Sequence, residues 1–297
     1  MNRMLDGIPS FITFTHYYQS MEYKQYDASI DLAQYIKCYW TLESAETEPK
    51  LKQNILPDGC MEMIFHYGDL YRQYVDQTEF VLQPRSFVFG QITRPLEIEP
   101  TGGIGIFAVR FQPDGFMPFS PVNVEEMNDK ATTLEFLFGQ DGINIERAIL
   151  GATEISQRIQ IIEEFLMKKL VSDEVRNRIV KSSVELLLGS KGQMSVSELS
   201  GQLQISPRYL EKKFSSTIGI SPKQLTKIIR LQAALKMMQQ KQFATLTSLA
   251  YESGYFDQAH FIKDFKEFAG TSPKEFYKDN LKMSALFIDA DDFIRNA

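Results

Sequence analysis

The sequence predicts an α+β protein with a β-rich N-terminal half and an all-α C-terminal half. Short runs of β-forming residues, separated by turn signals, occupy the chain up to about residue 120. Helical periodicity replaces them from about residue 122 onward. Beyond residue 194 the sequence repeats itself at an offset of 51 residues, which indicates a duplicated helical unit.

Six segments of the N-terminal half have the pattern of strands. They cover residues 36–42, 61–67, 71–75, 86–89, 96–99 and 104–111. In the second segment Met61, Met63, Phe65 and Tyr67 share one face, because successive side chains of a strand point to opposite sides. Turn signals such as the Pro-Asp-Gly run over 57–59 separate the segments. The pattern predicts an antiparallel barrel or sandwich.

Apolar residues then recur every 3.6 residues over 155–170 and 175–188, and Gly189 suits the end of a helix. We therefore expect four parts. These are a β-rich regulatory or sensor domain over 1–120, a helical linker or oligomerisation segment over 121–193, the duplicated helical domain over 194–280 and a C-terminal tail over 281–297. The N-terminal boundary of the duplicated helical domain could lie anywhere between about residues 170 and 193.

Charge is divided unevenly between these parts. Residues 1–193 hold 18 Lys and Arg against 27 Asp and Glu, whereas residues 194–280 hold 12 against 8. The resulting net charges of −9 and +4 favour a basic module that meets phosphate and an acidic module that does not.

Several classes of protein are disfavoured by what the sequence lacks. Asp6 and Pro9 interrupt the N-terminal run that an export signal needs, and no apolar stretch is long enough to span a bilayer. Cys38 and Cys60 match no metal or redox spacing, so we expect reduced core thiols. We predict a cytoplasmic protein that acts without a membrane, a metal ion or a cofactor.

The internal repeat aligns helix caps, core positions and helix ends together. Ser206 matches Asp257, Leu210 matches Phe261, Phe214 matches Phe265, Gly219 matches Gly270, and Leu225 matches Phe276. With one residue of slippage, Val196 and Leu199 match Leu246 and Leu249. Each copy is typical of a helix-turn-helix: a capped short helix, a turn, a second helix capped by Ser206 or Asp257, and a glycine stop. One long helix links the two copies.

If the repeated apolar residues face the core, each second helix presents a polar stripe outward. The predicted DNA-contacting residues are Ser206, Arg208, Tyr209, Glu211, Lys212 and Ser215 in the first copy and Gln258, Ala259, His260, Ile262, Lys263 and Lys266 in the second. Arg and Lys suit guanine, Glu suits cytosine and Ile suits a thymine methyl. The alternative is a solvated charged face on a purely structural repeat.

At these residues the chain resembles the DNA-binding domain of the AraC/XylS family. The resemblance rests on two motifs, Ser-Pro-Arg-Tyr-Leu-Glu-Lys-Lys-Phe over 206–214 and Gly-Tyr-Phe-Asp-Gln-Ala-His-Phe-Ile-Lys-Asp-Phe-Lys over 254–266. The resemblance covers about 194–280 and implies that both recognition helices of one protomer enter successive major-groove segments. Ala259 and Lys263 stand where the family often has Ser and Arg. These departures alter which bases are read.

The N-terminal half resembles, over 56–65 and 89–95, a domain of undefined ligand found on some AraC-type regulators. The better-known sensory domain of the family is a cupin-like barrel, and the strand pattern is compatible with it. For a ligand site the candidate polar groups are Glu62, His66, Arg94 and Arg110, with Trp40 and Tyr39 as apolar walls. The alternative is that Trp40 and Tyr39 are core and that Arg94 pairs with a carboxylate.

We predict no catalytic residues. The three histidines are scattered, and neither a phosphate-binding loop nor a nucleophile elbow is present. The leading hypothesis is a transcriptional regulator, either an activator or a repressor, whose partners are duplex DNA, a small-molecule effector, RNA polymerase and a second copy. The alternative is the same DNA-binding role under control of a protein partner. A cupin-type enzyme carrying DNA-binding helices is the third hypothesis.

Overall fold

The computed structural model describes residues 21–45, 51–171, 174–240 and 242–279, and the predicted tail over 281–297 lies outside these ranges. Within the described ranges, the N-terminal half contains ten strands. They are β1 (Glu22–Tyr26), β2 (Ile36–Ser44), β3 (Gln53–Ile55), β4 (Glu62–His66), β5 (Tyr71–Tyr74), β6 (Phe80–Leu82), β7 (Ser86–Phe89), β8 (Leu96–Pro100), β9 (Ile104–Phe111) and β10 (Ala131–Thr133). All six predicted strands are present, and the four that were missed have five residues or fewer.

The strands form two antiparallel sheets, which confirms the predicted β-rich fold. The larger sheet has the order β1-β2-β9-β4-β7-β10, and the smaller has the order β3-β8-β5-β6. Apolar side chains of both sheets, including Trp40, Leu42, Tyr71 and Ile106, pack together between them. The two sheets therefore enclose a space that only alternate residues of each strand face.

A bulge in β2 decides which residues face that space. Ile36 pairs with Phe111 and Cys38 pairs with Arg110, so Lys37 is the extra residue. Because of the bulge, Ile36 and Tyr39 both lie on the outer face of the large sheet although they are three residues apart. Trp40 lies on the inner face.

Three helices cover the outer face of the large sheet: α1 (Leu134–Phe138), α2 (Gln140–Gly151) and α3 (Ile155–Lys169). Their buried residues Leu134, Ile149 and Ile162 share a core with Met63 and Phe107 of the sheet. The large sheet is thus buried on both faces, and these helices are integral to the N-terminal core. Residues 134–169 are not a free linker.

The remaining helices form a second core. They are α4 (Glu174–Gly189), α5 (Val196–Gln202), α6 (Pro207–Ile218), α7 (Pro222–Gln239), α8 (Leu246–Glu252), α9 (Gln258–Ala269) and α10 (Pro273–Asp279). Val180, Val184 and Leu187 of α4 are buried with the apolar residues of α5 to α10. The segment predicted as one linker, 121–193, is therefore shared between two cores, because its two apolar faces have different partners.

The two helix-turn-helix units have the predicted caps. The side chains of Ser206 and Asp257 accept hydrogen bonds from backbone N–H groups in the first turns of α6 and α9. Gly219 and Gly270 end these helices with positive φ angles of 92° and 72°, a conformation that favours glycine. The slippage in the repeat has a structural cause, because the turn before α9 is one residue longer than the turn before α6.

The two halves are in contact along α7, the linking helix. The Gln232 side-chain Nε2 donates to the carbonyl oxygen of Pro57 at 2.6 Å, and Leu225 lies beside Gly59. A second contact joins the end of α6 to a short 3₁₀ segment, Val124–Met127, of the N-terminal half. No helix within the described ranges is long and apolar enough to cross a membrane.

Candidate nucleic-acid interface and effector cavity

The first recognition helix, α6, turns most of its predicted contact residues to solvent. Ser206, Arg208, Glu211 and Lys212 are exposed, and Tyr209 is 42% exposed. Leu210 and Phe214 on the opposite side are completely buried. Within the described ranges, Arg208 and Lys212 take part in no ion pair, so their charges remain open to a phosphate or a base edge.

Ser215 differs from the rest of this stripe because it touches the N-terminal half. Its hydroxyl donates to the Glu125 carboxylate in the 3₁₀ segment. One turn further on, the Asn128 side-chain Nδ2 donates to the carbonyl oxygen of Gly219 at 2.6 Å. A carboxylate therefore lies at the C-terminal end of the first recognition helix, where it would repel an approaching phosphate.

The second recognition helix, α9, exposes fewer of its predicted contact residues than α6 does. Ala259, Lys263 and Lys266 are exposed, whereas Gln258, His260 and Ile262 are half-buried. The side chain of Gln258 accepts a hydrogen bond from the Thr247 hydroxyl at 2.7 Å. This bond ties the start of α9 to the preceding helix.

A buried carboxylate attaches α9 to the linking helix. Asp264 is 1% exposed and lies 3.0 Å from the ammonium of Lys227 and 3.8 Å from the guanidinium of Arg230, both on α7. His260 approaches the same carboxylate at 3.5 Å. Because α7 also leads directly out of the first unit, these contacts hold the second recognition helix in a set orientation relative to the first.

Between the two sheets lies a cavity of about 90 Å³. Most residues of the cavity wall are apolar. Two of the wall residues, Gln232 and Leu235, belong to the linking helix α7. The cavity thus lies where the β-rich half meets the helical C-terminal half.

One end of the cavity carries three charged groups. Arg110 is 2% exposed and forms an ion pair with Asp58, and its Nε lies 3.7 Å from Glu62. The Trp40 indole N–H donates to the Glu62 carboxylate at 3.1 Å. Burial raises the pKa of Glu62 to about 7, although the hydrogen bond from Trp40 opposes the shift.

The other end of the cavity is polar but uncharged. His66 is 1% exposed, and its Nε2 lies 3.2 Å from the side-chain oxygen of Gln83. Burial lowers the pKa of His66 to about 4, against the hydrogen bond with Gln83, so the ring is neutral at pH 7. Glu62 and His66 are four residues apart on β4, which places the two ends about 13 Å apart.

The cavity brings together four of the five residues predicted for a ligand site: Trp40, Glu62, His66 and Arg110. Arg94 is elsewhere, with a side chain that is 75% exposed and an Nε that lies 3.7 Å from Asp129. Tyr39, proposed as an apolar wall, points to the opposite face of the sheet and into the helix-covered core. Both placements agree with the alternative that the sequence left open.

Sequence reasoning missed other cavity residues. Asp58 was interpreted only as part of a turn, and Gln83 lies outside the predicted strands. Gln232 belongs to a helix of the C-terminal half, where no ligand site was expected. The turn itself carried the one available signal, because an Asp flanked by Pro and Gly holds its carboxylate in a set direction. No group of three or more His, Cys, Asp or Glu able to hold a metal ion is present in the described part of the chain.

The chain thus combines a double helix-turn-helix on one linking helix with a two-sheet domain that contains a cavity. Protein-family models match one segment in each half of the chain. Residues 199–279 match the model described as "Helix-turn-helix domain", and residues 24–133 match "Domain of unknown function (DUF6597)". The C-terminal part of the chain is therefore an AraC-type helix-turn-helix domain, which confirms the resemblance stated above.

Two curated proteins are similar to part of the chain. An "Uncharacterized HTH-type transcriptional regulator" of Haemophilus influenzae is 29% identical over 137 residues, which cover 44% of this chain and 46% of the relative. The "Msm operon regulatory protein" of Streptococcus mutans is 23% identical over 121 residues, which cover 40% and 43%. The chain thus matches less than half the length of each.

Among solved structures, ToxT from Vibrio cholerae aligns over 87% of this chain and 98% of its own. The sequence identity is 14% and the TM-score is 0.46, so the two backbones agree only distantly.

Proposed function

We propose that this chain is a sequence-specific, DNA-binding transcriptional regulator. The observation that carries the proposal is the pair of exposed recognition helices, α6 and α9, held by a single linking helix. Two such helices on one rigid connection suit two adjacent major-groove segments of one duplex, about one helical turn apart. Both curated relatives are named as regulators, which supports the same proposal.

The test is selection of bound duplexes from a random DNA library with the full chain, followed by footprinting. We expect two short protected elements about one helical turn apart for each protomer. Affinity should fall steeply with salt, because each neutralised phosphate releases counterions. Binding without sequence preference, or a salt-independent affinity, would contradict the proposal.

For the N-terminal half we propose an effector-binding role, with the cavity between the sheets as its site. A concave, mostly apolar space with a few convergent polar groups is the usual form of a small-molecule site. Control by a protein partner remains the alternative. It would be favoured if no small molecule changed the fluorescence of Trp40, the one tryptophan of the chain, while a protein changed the DNA affinity. RNA polymerase and a second copy of the chain are further proposed partners.

A further inference from the structure

We propose that the cavity selects a small, uncharged, mostly apolar ligand that carries a carbonyl or similar oxygen acceptor at one end, and that it rejects anions and cations. The inference rests on the proposed regulatory function and names the ligand class of the same site. Its evidence is the set of groups that Arg110 meets in the cavity wall.

The demand for an acceptor comes from Arg110. The guanidinium is buried, yet its Nε and Nη1 have no hydrogen-bond partner among the residues that the structure describes. A buried donor without a partner costs free energy, so a ligand that supplies an oxygen at this place gains the bond and removes the penalty. The oxygen must reach the end of the cavity lined by Asp58 and Glu62.

The charged neighbours of Arg110 require that the ligand be uncharged. Asp58 already forms an ion pair with the guanidinium, and Glu62 is a second carboxyl group 3.7 Å from Nε. At pH 8 an anionic ligand would therefore be placed beside two carboxylates for a single positive charge. An ammonium ligand has only donors, so it would leave the Arg110 donors unpaired and bury a further charge. A neutral acceptor pairs these donors and avoids both the repulsion from the carboxylates and the cost of burying a further charge.

The demand for an apolar body comes from the rest of the wall. Apart from the charged end and the neutral His66 end, most of the lining is apolar and includes Trp40, Ile64, Ile98 and Ile106. A short alkyl or aromatic group removes this surface from water without leaving polar atoms unpaired. The neutral His66–Gln83 pair closes the far end and offers no charge to a ligand.

The same ligand would touch the DNA-binding half. Leu235 and Gln232 of α7 line the cavity, and Gln232 donates to the backbone of Pro57, next to Asp58. An occupant that favours one position of α7 over another would shift the arrangement of both recognition helices. It does so only as far as its affinity differs between the two positions.

The test uses the full chain and three probes of equal length at pH 8: hexan-2-one, hexanoate and hexylammonium. Trp40 is the one tryptophan of the chain and lies in the cavity wall, so its fluorescence reports occupancy directly. We expect a saturable change with hexan-2-one and binding at least roughly tenfold weaker for both ions. Equal or tighter binding of either ion, or no saturable change with the ketone, would overturn the proposal.

Two variants separate the cavity from the rest of the surface. Ile98→Phe fills the space without altering a charge and should abolish the response to hexan-2-one. Arg110→Lys keeps the charge but loses the guanidinium donors, and should weaken ketone binding by roughly tenfold if the variant folds. Arg94→Lys makes a similar change on an exposed arginine outside the cavity and should have no effect. A full response in Ile98→Phe would place the probe elsewhere and overturn the assignment.

DNA binding is measured separately on the same samples without any probe. If the chain binds specific duplexes but shows the wrong probe selectivity, only the ligand class fails. If it shows the expected selectivity but binds no DNA specifically, only the regulatory function fails.

Discussion

The two helix-turn-helix units have the same local design but different surroundings. In the first unit the recognition helix α6 contacts the N-terminal half at Ser215 and Gly219. In the second unit the recognition helix α9 is joined to the linking helix through the buried carboxylate of Asp264. The position that matches Asp264 in the first unit is Lys213, which is half-buried and makes no such bridge.

This difference indicates a division of roles between the units. Contacts within the C-terminal domain hold the second recognition helix at Asp264, and Gly270 at its end lies beside Pro95 of the N-terminal half. The first recognition helix is hydrogen-bonded to that half at both Ser215 and Gly219, so a movement between the halves would disturb it more directly. We therefore expect regulation to act mainly on the DNA element read by α6.

The largest expected effect is on stability in the second unit. Asp264→Ala leaves Arg230 partly buried without its carboxylate, whereas Lys227 keeps its ion pair with Glu267, and should lower the free energy of unfolding by about 3 kcal/mol. The matched change in the first unit, Lys213→Ala, should cost less than about 1 kcal/mol. Urea titrations followed by helical circular dichroism compare the two. Equal losses would remove the proposed difference between the units.

The next effect concerns base reading. Arg208→Ala should cost about 1–3 kcal/mol of binding free energy at one base position of the element read by α6. Lys263→Ala should act on the other element. Competition binding with duplexes altered one base pair at a time distinguishes the two. If a variant weakens binding to every duplex equally, that residue contacts phosphate instead of a base.

A smaller effect is expected at the contact between the halves. Glu125→Gln removes the carboxylate held against Ser215 and should raise the DNA affinity of the full chain several-fold, by about 0.5–1 kcal/mol. Glu126→Gln removes the same charge from the neighbouring exposed residue. The control should have the weaker effect, because only long-range repulsion is removed and salt screens it. Identical effects would show that the contact itself is unimportant.

The smallest expected effect is on the salt dependence of DNA binding, and it should be the same in the two units. Lys212→Ala and Lys266→Ala each remove one exposed cation from a recognition stripe. Each should reduce the slope of log affinity against log salt by about 0.9 if the lysine neutralises one phosphate. Titrations of one duplex at four or more salt concentrations measure the slope. A change in one unit only would mean that the other stripe does not face the duplex.

Features that depend on local interactions could be predicted from the sequence. Ser206, Asp257, Gly219 and Gly270 act within one helical turn, so the repeat alone located both recognition helices. The alternation of apolar residues in β4 located that strand in a similar way. The short strands β3, β6 and β10 were not, because three residues carry too little periodicity and pairing with neighbours determines their conformation.

What the sequence by itself determined about this protein is therefore the double helix-turn-helix, its caps and its outward stripes. The tertiary structure alone decided how the cavity and the contact between the halves are built. Arg110 meets Asp58 across 52 residues, Ser215 meets Glu125 across 90, and Gln232 meets Pro57 across 175. Caps and stripes follow from neighbours three or four residues apart. A cavity wall joins side chains from distant strands and helices, whose meeting depends on sheet order, on the bulge at Lys37 and on how two separate cores pack.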